Sequence, residues 1–405
     1  MTAPGRSAVL AAEVFDGERR LRDRAVVIDH GSGRIADLCA HAALPAGLAV
    51  HRLPAGSLLA PGFIDVQVNG GGGVLFNDRP DLAALRTIGA AHRRFGTTGF
   101  LPTLITSAPE TMARALAAVR AAIARGVPGV LGVHFEGPWL TPARRGAHPE
   151  GWLRAPADGE IGLLTTPGAG RILVTLAPEQ VEEGVIRRLV AAGVRVSLGH
   201  SDAGHDTALA AIAAGATGFT HLFNAMSPLG ARAPGMVGAG LAAAGVWCGI
   251  IADGLHVHPA TLRLALAAGG SGRFMLVTDA MSTVGSDITR FLLQGAPVRL
   301  SGGRLQMVDG TLAGAALDMA GAVRNAVRLL GVKLAEALRM ASLHPARFLG
   351  MAALRGRIAP GYAADLTALT PDFEVPATWI GGRRQDAPAG RASDRAFRSS
   401  HDQNG

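Results

Sequence analysis

Between residues 61 and 350 short apolar runs alternate with longer segments of helical periodicity. Apolar runs of about four to eight residues bounded by turn signals read as buried strands, and a 3.6-residue period reads as helix. Their alternation predicts βα units around a parallel sheet. Six runs end on polar or ionisable residues. The run 62–68 leads into Asn69, 130–135 into Glu136, and 194–198 into Gly199 and His200. The run 218–220 leads into His221, 247–252 into Asp253 and His256, and 274–278 into Asp279. Segments 82–95, 109–125, 179–192, 205–214, 259–267 and 319–330 read as helices. In a (β/α)8 barrel the carboxyl ends of the strands carry the active site. The predicted fold class is therefore α/β, a (β/α)8 TIM-like barrel.

The two ends of the chain have a different texture. Residues 21–29 and 50–53 read as strands with a Gly31-Ser32-Gly33 turn, and 356–358, 365–369 and 378–380 read as strands after the barrel. Neither end is long enough to bury a good core alone. They are expected to combine into a small β-sandwich, with residues 1–59 and 351–386 as its two parts, the barrel over 60–350, and a disordered tail over 387–405.

Composition narrows the picture. Hydrophobic residues make up 48% of the 405 and charged residues 17%, which suits a well-packed globular chain. The formal net charge of +8 invites a nucleic-acid reading. However, Lys333 is the only lysine, and the arginines are scattered singly along predicted helices (Arg86, Arg114, Arg120, Arg187). The denser group, Arg383, Arg384, Arg391, Arg395 and Arg398, reads as a solvated, poorly ordered end. No nucleic-acid partner is expected. Cys39 and Cys248 are too few for a disulfide framework. The apolar stretch at 8–12 is too short for a signal peptide, and the run 236–252 is interrupted by Gly238, Gly240 and Gly245 and shorter than a span needs. The expected location is the cytoplasm, with no membrane partner.

The chemistry concentrates at the strand ends. Glu136, His200 and His221 offer one carboxylate and two imidazoles, a set able to hold a tetrahedral metal with one position left for water. Taken singly, a histidine in such a place is more often a satisfied core residue; the set is stronger than its members. Asp279 could accept a proton from an activated water and return it to a leaving amine, although a lone Asp after a strand is commonly a cap or turn residue. Backbone N–H groups around Asn224 and Ala225 could cradle a phosphate with Arg232 nearby, or this could be an ordinary loop with a solvated arginine.

Seven stretches in order carry a family resemblance: 61–70 (PGFIDVQVNG), 134–140 (HFEGPWL), 199–201 (GHS), 220–226 (THLFNAM), 250–256 (IIADGLH), 278–280 (TDA) and 310–314 (GTLAG). Over roughly residues 10 to 385 the chain resembles the N-acetylglucosamine-6-phosphate deacetylases of the amidohydrolase superfamily. The resemblance implies that Glu136, His200 and His221 are metal ligands, that Asp279 is the catalytic acid/base, and that His148 acts beside the substrate's acetyl carbonyl. It implies substrate contacts from Ala147, His148, Asn224, Ala225, Arg232, Asp253 and His256, and from a closing loop at Leu312, Ala313 and Gly314. Arg232 would reach the neighbouring subunit's site, so a homodimer is implied. Many relatives in the superfamily carry His-X-His on the first strand and bind two metals. This chain has Gln67 and Asn69 there, and amides are poor ligands for a zinc-like ion. One divalent ion per subunit is expected: Zn2+, or else Fe2+ or Co2+. Lys333 lies away from the predicted strand ends, which argues against a site bridged by a carbamylated lysine. The implied reaction is hydrolysis of N-acetyl-D-glucosamine 6-phosphate to D-glucosamine 6-phosphate and acetate, in amino-sugar catabolism. The galacto epimer, another N-acyl substrate, and a catalytically silent scaffold are the alternatives.

Overall fold

The structure, a computed structural model, describes residues 5–386. Its centre is an eight-stranded parallel sheet: β1 (Phe63–Val68), β2 (Thr97–Ile105), β3 (Gly132–Glu136), β4 (Arg171–Leu176), β5 (Arg195–Leu198), β6 (Gly218–Phe219), β7 (Trp247–Ile251) and β8 (Phe274–Val277), neighbours in chain order. The sheet closes between its first and last strands. The Asp279 amide donates to the Gln67 carbonyl at 3.0 Å, and the Asn69 amide to the Ala280 carbonyl at 2.9 Å. A helix follows each strand except the last, where an antiparallel sheet intervenes first. The predicted α/β barrel is therefore present.

Local chemistry explains where elements begin. Asp81 caps the helix Leu82–Arg93 by accepting from the Ala84 amide at 2.7 Å, and Asp318 caps Met319–Arg328 through Gly321 at 2.7 Å. Pro109 opens Pro109–Ala124 at a position that needs no N–H donor. The helix expected from residue 179 starts at Glu183 instead. Glu179 is engaged elsewhere: its carboxylate accepts from the Ser201 hydroxyl (2.6 Å) and the Asp202 amide (2.7 Å).

Two barrel strands, β2 and β4, were not anticipated. β4 runs into Ala177-Pro178 and β2 into Thr106-Ser107, so neither meets an ionisable residue of the kind that marks five of the other six strand ends. β2 is also diluted by Thr97, Thr98 and Thr103, all buried. Also unanticipated is the antiparallel sheet built from Arg290–Leu293, Ala296–Ser301, Arg304–Met307 and Leu312–Ala315, which lies over the barrel's carboxyl end with Leu293, Val298, Leu305 and Ala313 in a small apolar cluster.

The chain ends build two further sheets, the first wholly N-terminal and the second from both ends. One has four strands, with Arg6–Leu10 between Arg24–Asp29 and Ala49–Arg52; the other has six, in which Leu58–Pro61 pairs with Glu13–Phe15 on one side and Leu366–Leu369 on the other. Val9, Val26, Ile28, Leu59, Leu366 and Trp379 share one apolar cluster. The single strand expected over 21–29 is broken at Asp23, whose φ of 54° turns the corner, so that Arg20–Arg22 joins one sheet and Arg24–Asp29 the other. Residues 356–358 form no strand, although Ile358 is buried in the cluster. Arg383 and Arg384 were expected in a loose tail; they lie in the strand Arg383–Asp386, paired with Ala377–Ile380. The tail expected beyond residue 386 lies outside the described residues. Among the described residues no helix is long and apolar enough to cross a membrane.

Candidate active site

Glu136 is the last residue of β3, and His200 and His221 lie just beyond β5 and β6. Their polar atoms converge. Glu136 Oε1 is 2.8 Å from His221 Nε2 and 3.3 Å from His200 Nε2, and the two ring nitrogens are 3.1 Å apart. Ligands at ~2.0–2.1 Å around one tetrahedral ion stand about 3.4 Å from one another, so these separations are close to those of a shared cation. The His200 tautomer agrees. His200 Nδ1 lies 2.8 Å from the Arg144 carbonyl, which can only accept, so the proton sits on Nδ1 and Nε2 keeps its lone pair facing Glu136. Lone pairs from a ring nitrogen and a carboxylate directed at one point repel each other unless a cation lies between them. A divalent ion therefore fits this donor set. Burial alone would raise the Glu136 carboxyl, but the His200 and His221 rings set against it hold it well below the usual range.

Asp279, just past β8, faces the same point. Burial and the neighbouring Glu136 charge push its carboxyl up to about 6. The amides on β1 have a definite task. Gln67 Nε2 donates to Glu136 Oε1 (3.1 Å) and to Asp279 Oδ1 (3.2 Å), and Asn69 Nδ2 donates to Asp279 Oδ1 at 2.6 Å. Neutral donors thus bridge the two carboxylates where other relatives would place histidine ligands. The backbone here is held in an unusual form. His200 (φ 50°), His221 (φ 35°), Ala225 (φ 50°) and Asp279 (φ 50°) all adopt left-handed conformations that side chains rarely take. Such residues cost about 1–3 kcal/mol each and cluster where the surrounding structure must aim a side chain.

His148 comes from the loop after β3. Its ring centroid is 4.3 Å from that of His200. Burial above all, with His200 beside it, lowers its pKa well below the ordinary value, so it is neutral. The ligand atoms of Glu136, His148 and His200 also lie within 4.8 Å of one another. The contacts favour His221 over His148 as the third donor. His221 Nε2 is 2.8 Å from Glu136 Oε1, whereas His148 directs Nδ1 at Thr106, whose hydroxyl lies 2.9 Å away and whose amide donates at 3.4 Å. His256 lies on the opposite wall, its Nδ1 2.6 Å from Asp253 Oδ2.

These groups line a cavity of about 390 Å³. It includes Glu136, Ala147, His148, His200, His221, Asn224, Ala225, His256, Asp279, Leu312 and Gly314, as the sequence anticipated. Three anticipated residues do not line it. Asp253 stands behind His256 as its orienting carboxylate, Ala313 is buried beneath its neighbours, and Arg232 is exposed outside. Arg144, Met281 and Leu293 line the cavity and were not anticipated. Arg144 reaches it on the loop that supplies the His200 acceptor and pairs with Asp202 at 2.8 Å. Leu293 arrives on the antiparallel sheet, which no motif signalled.

Comparison with known proteins agrees with this geometry. The Amidohydrolase family matches residues 58–384. An N-acetylgalactosamine-6-phosphate deacetylase of Shewanella sp. (strain ANA-3) is 50% identical over 82% of this chain and 84% of the relative. One of the same name from Escherichia coli O157:H7 is 41% identical over 90% of this chain and 97% of the relative. The crystal structure of N-acetylglucosamine-6-phosphate deacetylase from Pasteurella multocida superposes with a TM-score of 0.91 at 37% identity, covering 94% of this chain and all (100%) of that one. Barrel, strand-end ligand set and these matches together place the chain in the amidohydrolase family of metal-dependent hydrolases.

Proposed function

We propose that this enzyme deacetylates an N-acetylhexosamine 6-phosphate, with N-acetyl-D-glucosamine 6-phosphate giving D-glucosamine 6-phosphate and acetate. The observation that carries the reading is the meeting, in one cavity, of the Glu136–His200–His221 donor set with Asp279. A divalent ion held by those three residues would supply Lewis acidity and lower the pKa of a bound water. We assign one such ion, with Zn2+ favoured by the carboxylate and imidazole donors and Fe2+ or Co2+ able to replace it.

Asp279 takes the proton from the attacking water and later returns it to the departing amine. Its carboxyl, raised by burial to about 6, suits both halves of that task. Gln67 and Asn69 keep the carboxylate aimed while it changes protonation. His148, neutral and buried, donates to the carbonyl oxygen as negative charge develops there. Asn224, Ala225 and His256 are assigned to the sugar phosphate, together with Leu312 and Gly314 from the covering sheet. Arg232 is assigned to the phosphate of a neighbouring subunit's site in a homodimer, which accounts for its exposure outside this chain's own cavity. A cytoplasmic location goes with this metabolic role.

A second reading has specific support. The relative that is 50% identical is named for the galacto epimer. The two substrates differ at one hydroxyl, and the mechanism is the same for both. The test is acetate release from N-acetylglucosamine 6-phosphate, its galacto epimer and unphosphorylated N-acetylglucosamine by the Zn2+-loaded enzyme. Turnover of either phosphate with little of the free sugar is expected, and the ratio between epimers decides the substrate. Release from none of the three would overturn the reading.

A further inference from the structure

A neutral histidine such as His148 carries its proton on either Nδ1 or Nε2. Only one arrangement suits an oxyanion donor: the proton on Nε2 and the lone pair on Nδ1. Thr106, the first residue after β2, enforces it. Its backbone amide points at His148 Nδ1 at 3.4 Å, and its hydroxyl lies 2.9 Å from the same atom. An amide N–H can only donate, so Nδ1 accepts, the hydroxyl donates as well, and the ring proton is left on Nε2. Thr106 is 1% exposed, so water does not compete for these bonds.

Thr106 is itself held from across the cavity. Gln294 Nε2 donates to the Thr106 carbonyl at 2.8 Å. Gln294 and Gly295 form the two-residue turn between Arg290–Leu293 and Ala296–Ser301, with φ of 49° and 89°. A turn with both central residues at positive φ favours Asn or Gly at its first position. Glutamine there is strained, and its side chain gives the reason to keep it: it spans from the covering sheet to the barrel rim. Leu293, the adjacent residue, lines the cavity.

The geometry points to Thr106 as a positioning residue that fixes the tautomer of His148, and to Gln294 as the clasp that ties Thr106 to the covering sheet. The inference rests on the deacetylase reading for its effect on turnover, but not for its effect on the histidine. Removing the hydroxyl leaves Nδ1 with one long bond and lets the proton move to it; Nε2 then presents a lone pair to the carbonyl oxygen and repels it.

Two readouts on the Zn2+-loaded enzyme test this. The ¹⁵N resonances of His148, assigned by difference with His148→Gln, report the tautomer without any substrate. Nδ1 is expected to be unprotonated in the parent and partly protonated in Thr106→Val. In the acetate-release assay, Thr106→Val should lose about 10- to 100-fold in kcat, the range typical of a lost orienting partner, with KM and Zn2+ affinity within about twofold. Thr106→Ser, which keeps the hydroxyl, should restore turnover, and Gln294→Leu should show a smaller loss in the same direction. A protonated Nδ1 in the parent would overturn the proposal. So would a fall in Zn2+ affinity in Thr106→Val with unchanged kcat, because His148 would then be a ligand. If the parent releases no acetate from any sugar phosphate, the substrate reading fails while the resonance and Zn2+ arms still decide the role of Thr106.

Discussion

At the scale of single residues, burial sets the chemistry. Asp279 and Glu136 are both buried carboxylates on the cavity wall, yet their pKa values move apart, because burial and the Glu136 charge raise Asp279 while the two histidines against Glu136 bring it down. Replacing Asp279 with Asn keeps the shape but removes the proton acceptor. Turnover should fall about 10²- to 10⁴-fold, the usual worth of a positioned acid/base, while divalent-metal content by metal analysis stays that of the parent. Full activity would remove Asp279 from the mechanism. His92 shows the same physics away from the site. Its Nε2 is 2.8 Å from the Gly70 carbonyl, and burial lowers its pKa to about 4. A histidine whose folded pKa lies below its unfolded value of 6.5 contributes stability above pH 6.5 that is lost as pH falls toward 4. His92→Gln should therefore flatten the decline in denaturant midpoint between those pH values. An unchanged slope would show that His92 is not a source of it.

At the scale of elements, the barrel depends on one joint. β1 and β8 are brought together by Asp65, whose Oδ1 accepts from the Gln67 amide (3.1 Å) and the Thr278 amide (3.3 Å), while its Oδ2 accepts from the Thr278 hydroxyl. Burial raises the Asp65 carboxyl to about 7. Gln67 and Asp279 lie two residues and one residue beyond this joint on their respective strand ends, so the tie that closes the barrel also sets the distance between the Gln67 amide and the Asp279 carboxylate. Thr278→Val would leave Asp65 buried with one donor fewer. A cost of about 1–3 kcal/mol is expected in chemical denaturation, with a further rise of the Asp65 pKa. No change in stability would mean that the hydroxyl is dispensable to the joint.

At the scale of the whole molecule, the two chain ends build a core separate from the barrel's. Trp379 is 1% exposed in that core and shares no cluster with the site residues. Trp379→Ala should lower stability by about 3–5 kcal/mol, seen as a lower thermal midpoint, while acetate release per folded molecule holds. A proportional loss of turnover would show that the sandwich also shapes the cavity. The covering sheet is the opposite case. It contributes Leu293, Thr311, Leu312 and Gly314 to the cavity, so its stability and the site's are one matter.

The barrel, the order of its strand ends and the meeting of Glu136, His200, His221 and Asp279 at those ends were legible in the sequence, because apolar runs that end on ionisable residues are a local signal. The resemblance to a known family added His148 and the substrate loops. Strands β2 and β4, the covering sheet and the split at Asp23 stayed hidden, because threonine-rich or unpunctuated strands carry little pattern and one positive φ leaves no mark in composition. The rest needed the folded arrangement. It showed that Gln67 and Asn69 donate to carboxylates, that Asp253 acts through His256, that Arg232 stands outside its own cavity, and that Thr106 and Gln294 meet behind His148. Those are contacts between residues up to 212 positions apart, and a hydrogen bond's direction exists only once both partners have been placed.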